Sequence, residues 1–341
     1  MTAVADALTA DIDTAAALLA SAHDVTLLAH VQPDADALGS ALALGIALRR
    51  RGASVRVSFA EPDRMPESLR PLDVLGLVVP ADEVPAEPEV LVACDTASIG
   101  RLGALAGRVS TAGATVLIDH HASNTGFGTH RIVDASVEAT AVLAHRVLEA
   151  MGEPLDAAIA TCLYAGLVTD TVGFRTAGPA AYRLAATLVE AGVQVEPLVR
   201  RIMDTHPFEW FAALAGVLGD TALDPDAAAG LGLVHAVVPA ALVERFRSEE
   251  IDGVIDEIRG TAEAEVAAVL KQVGPRRWSV SMRAKGRIDL AAAAVALGGG
   301  GHRNAAGFTR EGTPDEVLAD LRSALTPDRV SDHNPISAAG G

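Results

Sequence analysis

The sequence predicts an α/β chain of two domains, the first built on a mostly parallel sheet with helices on its faces. Three observations carry this. Short apolar runs of strand length alternate with longer segments in which apolar residues recur at three and four positions. Half of the 341 residues are apolar but only 3% are aromatic, with alanine filling much of the sequence. That suits closely packed α/β layers better than an aromatic-rich β-sandwich. The length accommodates two ordinary domains, and the texture changes after about residue 190.

Taken in order, "DALTADIDTAAALLASA" reads as a helix and "DVTLLAHV" as a buried strand. "DALGSALALGIALRRRG" is a helix whose arginines and glycine form a stop signal. "ASVRVSFA" is a strand; "EVLVACDT" and "ATVLIDHH" are two more, each ending in ionisable residues. "VEATAVLAHRVLEAMG" and "LDAAIATCLYAGLVTDT" are helical. "PAAYRLAATLVEAGVQVEPLVRRIMDTHPFEWFAALAGVLGD" reads as connecting helices. "LGLVHAVVPAALVERF", "AEVAAVLKQVG" and "RRWSVSMRAKG" then read as strands of a second, smaller, mixed α/β unit that also holds "GGGGHRNAAGF". The tail "TPDRVSDHNPISAAGG" is polar and small and predicts disorder. Trp210 and Trp278 are expected to pack, and the histidines outside the motifs to sit at surface or packing positions.

The formal net charge is −17 and no basic stripe interrupts it. Proteins that grip long nucleic acid neutralise many phosphates, so a polyanionic partner here should be short and locally held, with metal as an aid. Cys94 and Cys162 lie in apolar runs and read as buried thiols of a reducing compartment. The N-terminus carries acids where a secretory leader would be basic, and no run has the length of a membrane span. The expectation is a cytoplasmic protein.

Ligands of open parallel sheets bind beyond the carboxyl ends of the strands. Three predicted strand ends carry acids or imidazoles: His30-x3-Asp34-x-Asp36, Asp95, and Asp119-His120-His121. Mixed Asp and His donors favour divalent metals of intermediate hardness, manganese first, with magnesium, cobalt or iron as substitutes. Cys94, next to Asp95 on a strand, should point to the opposite face. Crowded carboxylates repel one another without a cation, and two ions about 3.5–4 Å apart would neutralise them. Taken singly the acids have another reading, in which Asp36 caps a helix beginning near Ala37 and Asp34 sits in a turn. The glycines before His302 let backbone N–H groups approach a phosphate, or make a flexible loop.

Together "HVQPDADALGS", "ACDTAS", "IDHHASN", "GLVTDT" and "GGGGHRNAAGF" resemble the DHH–DHHA1 phosphoesterase superfamily, above all its short-oligoribonuclease branch. The resemblance runs from about residue 20 to 325 in the family's motif order. It implies a DHH catalytic domain over 1–190, a helical linker over 191–218, a substrate-binding DHHA1 domain over 219–326, and a disordered tail over 327–341. It makes His30, Asp34 and Asp95 ligands of one Mn2+, and Asp36, Asp95, His120 and Asp170 ligands of a second, with Asp95 bridging. His121 would face the scissile phosphate as donor or proton shuttle, and Asp119 would orient the histidines. Gly299, Gly300, Gly301, His302, Arg303 and Arg283 would contact substrate, although Ala284 stands where serine is usual. Arg101 is a further candidate contact, with a surface ion pair as its other reading. The implied substrates are short oligoribonucleotides such as pApA, 3′-phosphoadenosine 5′-phosphate and cyclic di-AMP; the implied assembly is a homodimer. Weighed against this are a manganese pyrophosphatase, a long-DNA exonuclease and a catalytically silent nucleotide-binding regulator.

Overall fold

The computed structural model describes residues 2–325, so the tail expected from residue 327 lies outside the described residues. The chain divides into two compact units between Thr205 and His206.

In the first unit, helix α1 (Thr2–Ser21) precedes strand β1 (Asp24–Leu28), helix α2 (Ala35–Arg50) and strand β2 (Ser54–Ser58). Strand β3 (Val90–Cys94), the short helix α3 (Arg108–Thr111), and strands β4 (Ala114–Asp119) and β5 (His130–Val133) follow. All five strands pair in parallel, in the order β2-β1-β3-β4-β5. Edge strand β5 is short and irregular in pattern, and sequence periodicity did not reveal it.

Because β1 has β2 on one side and β3 on the other, the chain reverses its direction of winding there. The crevice beyond the carboxyl ends of β1 and β3 is therefore the sheet's topological switch point. His30 follows β1 and Asp95 follows β3. Helices α4 (Thr140–Ala150), α5 (Ala157–Asp170), α6 (Pro179–Glu190) and α7 (Val195–Met203) complete the unit.

Helix α2 is buried along nearly its whole length, as its apolar circumference requires, so Asp36 in its first turn is carried into the core. A Cβ on Gly39 would lie 2.3 Å from the Cys162 carbonyl oxygen, and one on Gly166 would lie 2.5 Å from Asp36 Oδ1. These two glycines let α2 and α5 approach closely enough to put the ends of both helices at one site.

The second unit begins with α8 (Phe208–Gly219), so the two helices of the expected 191–218 linker, α7 and α8, fall one in each unit. Strands β6 (Ala222–Asp224), β7 (Leu233–Val238), β8 (Val266–Gly274), β9 (Arg277–Ala284), β10 (Gly300–His302) and β11 (Ala305–Glu311) form a mixed sheet ordered β10-β11-β9-β8-β7-β6. Between them run α9 (Ala227–Gly230), α10 (Ala240–Arg245), α11 (Ser248–Ile258) and α12 (Leu290–Ala296), and α13 (Pro314–Ala324) closes the unit.

One expectation changes here, and one alternative is set aside. "LGLVHAVVPAALVERF" is a strand only to Val238, because Pro239 ends the ladder and N-caps α10. The glycine run is not a loose loop: Gly300–His302 is a strand paired antiparallel to β11. Trp210 is buried edge-on against Phe246, and buried Trp278 donates its indole N–H to the Gly312 carbonyl at 3.0 Å. Both pack, as expected.

Candidate metal centre

Each acid of the first motif has a separate local reason for its place. Asp34 is the N-cap of α2, its Oδ1 accepting the backbone N–H groups of Asp36 (3.1 Å) and Ala37 (2.9 Å). Asp36 does not cap its own helix. Its carboxylate crosses to α4, where Oδ2 accepts Thr140 N–H (2.6 Å) and Oδ1 accepts Ala141 N–H (2.8 Å). Ala139, the N-cap of α4, offers no side-chain acceptor, so Asp36 caps that helix from 104 residues away.

Asp95 sits at the end of β3 in the left-handed region (φ 55°). Its two oxygens face different imidazoles. Oδ2 is 3.5 Å from His30 Nε2, while Oδ1 is 3.5 Å from His120 Nε2 and 3.6 Å from His121 Nδ1. Thr140 donates its hydroxyl to the same Oδ1 at 2.8 Å. His30 Nε2 is also 3.4 Å from Asp34 Oδ2. His120 Nε2 is 3.2 Å from Asp170 Oδ2 and 4.0 Å from Asp36 Oδ2.

The structure thus brings together every residue expected to bind metal, as two groups, His30–Asp34–Asp95 and Asp36–His120–Asp170, whose donor atoms lie within 4.8 Å of one another in each. Nδ1 of His30 lies 2.8 Å from the Val31 carbonyl oxygen and Nδ1 of His120 lies 3.4 Å from that of Val137. With the Nδ1 proton donated to a carbonyl, the Nε2 lone pair of each ring is turned to the carboxylates, the tautomer a metal ligand needs.

The electrostatics are those of crowded carboxylates that call for positive charge. Burial, then the Asp170 and Asp95 charges, push the Asp36 carboxyl well above the usual range. Burial also raises Asp170, to about 6, against the pull of His120. Burial disfavours the imidazolium of His30, but Asp34 and Asp95 overcome it and raise the ring to about 10. The same contest, won through Asp170, Asp95 and Asp36, takes His120 to about 11. Asp95 is buried yet held far below the carboxylate range, by His30 foremost and by His121 and His120. Divalent cations would supply that positive charge and fit this donor set.

A proton balance follows. At pH 7 His30 and His120 carry protons that a metal must displace, so calorimetric Mn2+ titration in buffers of different ionisation enthalpy is expected to show net proton release. Below about pH 6 Asp170 adds a further proton, and apparent metal affinity falls as pH falls. A titration indifferent to buffer would contradict the ligand set.

Asp119 is fully buried and holds His121, with Oδ1 2.8 Å from Nδ1. Burial opposes the imidazolium of His121 but the Asp119 hydrogen bond wins, so its pKa is raised. Asn124 donates its amide N–H to Asp119 Oδ2 at 2.5 Å and to the Thr96 carbonyl at 3.2 Å. Among the described residues Arg101 forms no ion pair; its Nη2 lies 3.1 Å from His30 Nδ1.

Of the six non-glycine residues with positive φ among the described residues, Gln32, Asp95, Val172 and Phe174 lie in the segments that carry His30, Asp34, Asp95 and Asp170. Backbone strain gathers where geometry is functionally constrained. Thr140, Asn124 and the Val31 and Val137 carbonyls were not assigned from sequence. A threonine at a helix start reads only as a cap, and no local pattern shows which distant carboxylate it meets.

The remaining candidates sit in the second unit. Across β9, β11 and β10, Ala305 pairs with Arg283 on one side and His302 on the other, so the three share one sheet face. The next row on that face is Ser281, Gly307 and Gly300, while the alternate row, Met282 and Ala306, enters the core. Small residues between Arg283 and His302 leave bare backbone. Gly299 and Gly301 serve packing as well: a Cβ on Gly299 would lie 2.1 Å from the Gly307 carbonyl oxygen, and Gly301 has φ 138°. Arg303 lies apart from this row, its Nη1 3.6 Å from Asp289 Oδ2.

A parallel sheet with a carboxylate–imidazole cage at its switch point defines a class, that of α/β proteins whose strand ends carry a donor set suited to divalent cations. The DHH family, N-terminal domain, matches residues 24–167, and the DHHA1 domain matches residues 233–326. The chain belongs to the DHH family. It is 32% identical over 309 residues to the bifunctional oligoribonuclease and PAP phosphatase NrnA of Thermus thermophilus, covering 89% of this chain and 90% of that protein. The crystal structure of an exopolyphosphatase-related protein from Bacteroides fragilis shares the fold, with a TM-score of 0.80 at 22% identity over 93% of this chain and 95% of that one. RecJ of Thermus thermophilus in complex with Mn2+ is a more distant likeness, with a TM-score of 0.54 at 17% identity over 94% of this chain and 55% of RecJ. Among the described residues no helix is long and apolar enough to cross a membrane.

Proposed function

We propose that the chain is a two-metal phosphodiesterase and phosphatase of the cytoplasm that hydrolyses short nucleotides. Its substrates would be pApA and other very short RNAs, 3′-phosphoadenosine 5′-phosphate, and cyclic di-AMP by way of pApA. The observation that carries the reading is Asp95, whose two oxygens face His30 on one side and His120 on the other, as a ligand shared by two ions would. His30 and Asp34 would complete one site; Asp36, His120 and Asp170 would complete the other. Two bound divalent ions, manganese by preference of the mixed donor set, would supply an activated water and neutralise charge on the phosphoryl oxygens.

The chain's own residues do the rest. His121, its Nδ1 engaged by Asp119, would give a proton from Nε2 to the departing ribose oxygen. Arg101, beside His30, would hold a phosphate oxygen. The Arg283–Ala305–His302 row would bind phosphate on the second unit, with Gly300 and Gly307 leaving room for it. The acidic balance and the 32% identical NrnA support a short substrate. The DHHA1 match and its glycine strand speak against the pyrophosphatase alternative.

Incubation with pApA is expected to release AMP with Mn2+, to fall to background in EDTA, and to recover when Mn2+ is restored. Undiminished hydrolysis after metal removal would overturn the reading, and faster phosphate release from pyrophosphate would replace the substrate class.

A further inference from the structure

Helix α5 ends at Asp170, and the three residues Val172, Gly173 and Phe174 then run through left-handed backbone at φ 51°, 67° and 66°. Such a run is unfavourable for a β-branched and an aromatic residue. It turns Phe174 back against α6, where the Tyr182 ring stacks on it at 5.5 Å with 28° between planes. The Tyr182 hydroxyl donates to the Phe174 carbonyl at 2.9 Å, and Tyr164 meets the other ring edge-on at 5.7 Å. Both tyrosines of a chain with 3% aromatics therefore gather around one phenylalanine. Tyr164 anchors the group in the core at 5% exposure, whereas Tyr182 is 54% exposed.

The surroundings are as selective as the stack. Arg175 follows Phe174 and Arg183 follows Tyr182; both are exposed, and neither forms a side-chain hydrogen bond or ion pair among the described residues. Elsewhere in this unit Arg50, Arg51, Arg56 and Arg146 each hold a carboxylate. Two exposed guanidinium groups, each next in sequence to a member of the stack, in a chain of net charge −17, suit a ligand that combines a flat apolar face with phosphate. Four residues span at most about 14 Å, so Phe174 stays within reach of a dinucleotide whose phosphate lies at Asp170.

We propose that the Phe174–Tyr182 stack is a base-binding platform, taking one nucleobase of the short substrate beside the metal centre, with Arg175 and Arg183 attracting its phosphates. The proposal rests on the phosphodiesterase reading and adds to it the site that selects nucleotides over other phosphoesters. Stacking tolerates any base, so it predicts preference for nucleotides without preference among bases.

The test uses the full chain with pApA, with the same dinucleotide lacking one base, and with a dinucleotide carrying 2-aminopurine, whose fluorescence is quenched on stacking. For Tyr182→Ala, KM for pApA is expected to rise about tenfold and quenching to be lost, with hydrolysis of the base-lacking substrate unchanged. Tyr182→Phe keeps the ring and is expected to keep both properties. Wild-type KM and quenching in Tyr182→Ala would overturn the platform while leaving the hydrolase reading intact. Quenching by a wild-type protein that hydrolyses nothing, lost in Tyr182→Ala, would uphold the platform and overturn the hydrolase reading.

Discussion

Asp95→Asn is expected to lower hydrolysis of pApA by about a thousandfold or more while leaving the circular dichroism spectrum unchanged. The amide keeps an oxygen for the Thr140 hydroxyl, so the local packing survives. What is lost is an anionic oxygen on one of the two sides. The carboxylate faces His30 through Oδ2 and His120 through Oδ1, and an amide offers one of those groups only a donor. Calorimetry should accordingly show fewer Mn2+ bound than in wild type. A near-wild-type rate would remove Asp95 from its bridging place and with it the two-metal arrangement.

Asp36→Ala should abolish activity and also separate the structural from the chemical part of the cage. Its carboxylate is fully buried and accepts two α4 backbone N–H groups, each of which costs about 1–3 kcal/mol when left unsatisfied. Against this, its charge is opposed by burial and by Asp170 and Asp95, so removing it relieves repulsion in the metal-free protein. With metal bound that repulsion is already compensated, and only the loss remains. Thermal unfolding should therefore show a smaller deficit for Asp36→Ala in EDTA than in Mn2+, and Mn2+ should stabilise wild type but hardly the variant. Equal Mn2+ stabilisation of both proteins would exclude Asp36 as a ligand.

The two substitutions probe different kinds of information in the chain. The alternation of strand and helix was legible because burial imposes periods of two and 3.6 on neighbouring residues. The strand-end position of His30, Asp95, Asp119, His120 and His121 was legible for the same reason, since each follows an apolar run. Edge strand β5 escaped because a short, half-exposed strand imposes little apolar pattern. That the glycine run is partly a strand was not legible, because its strand character comes from pairing with β11, a partner outside the run. The alternative reading of Asp36 as a cap had α2 in view, and only the approach of α4 gave it another helix to serve.

By itself the sequence determined which residue types stand at the ends of which elements, because those are set by neighbours along the chain. The tertiary structure alone decided that Asp95 turns one oxygen to each histidine, that Asp36 and Thr140 join α2, β3 and α4 at one point, and that Phe174 lies under Tyr182. The physical reason is distance along the chain. Asp36 and Thr140 are 104 residues apart, and a hydrogen bond or a stack between such residues depends on how whole helices pack, which no local pattern of side chains encodes.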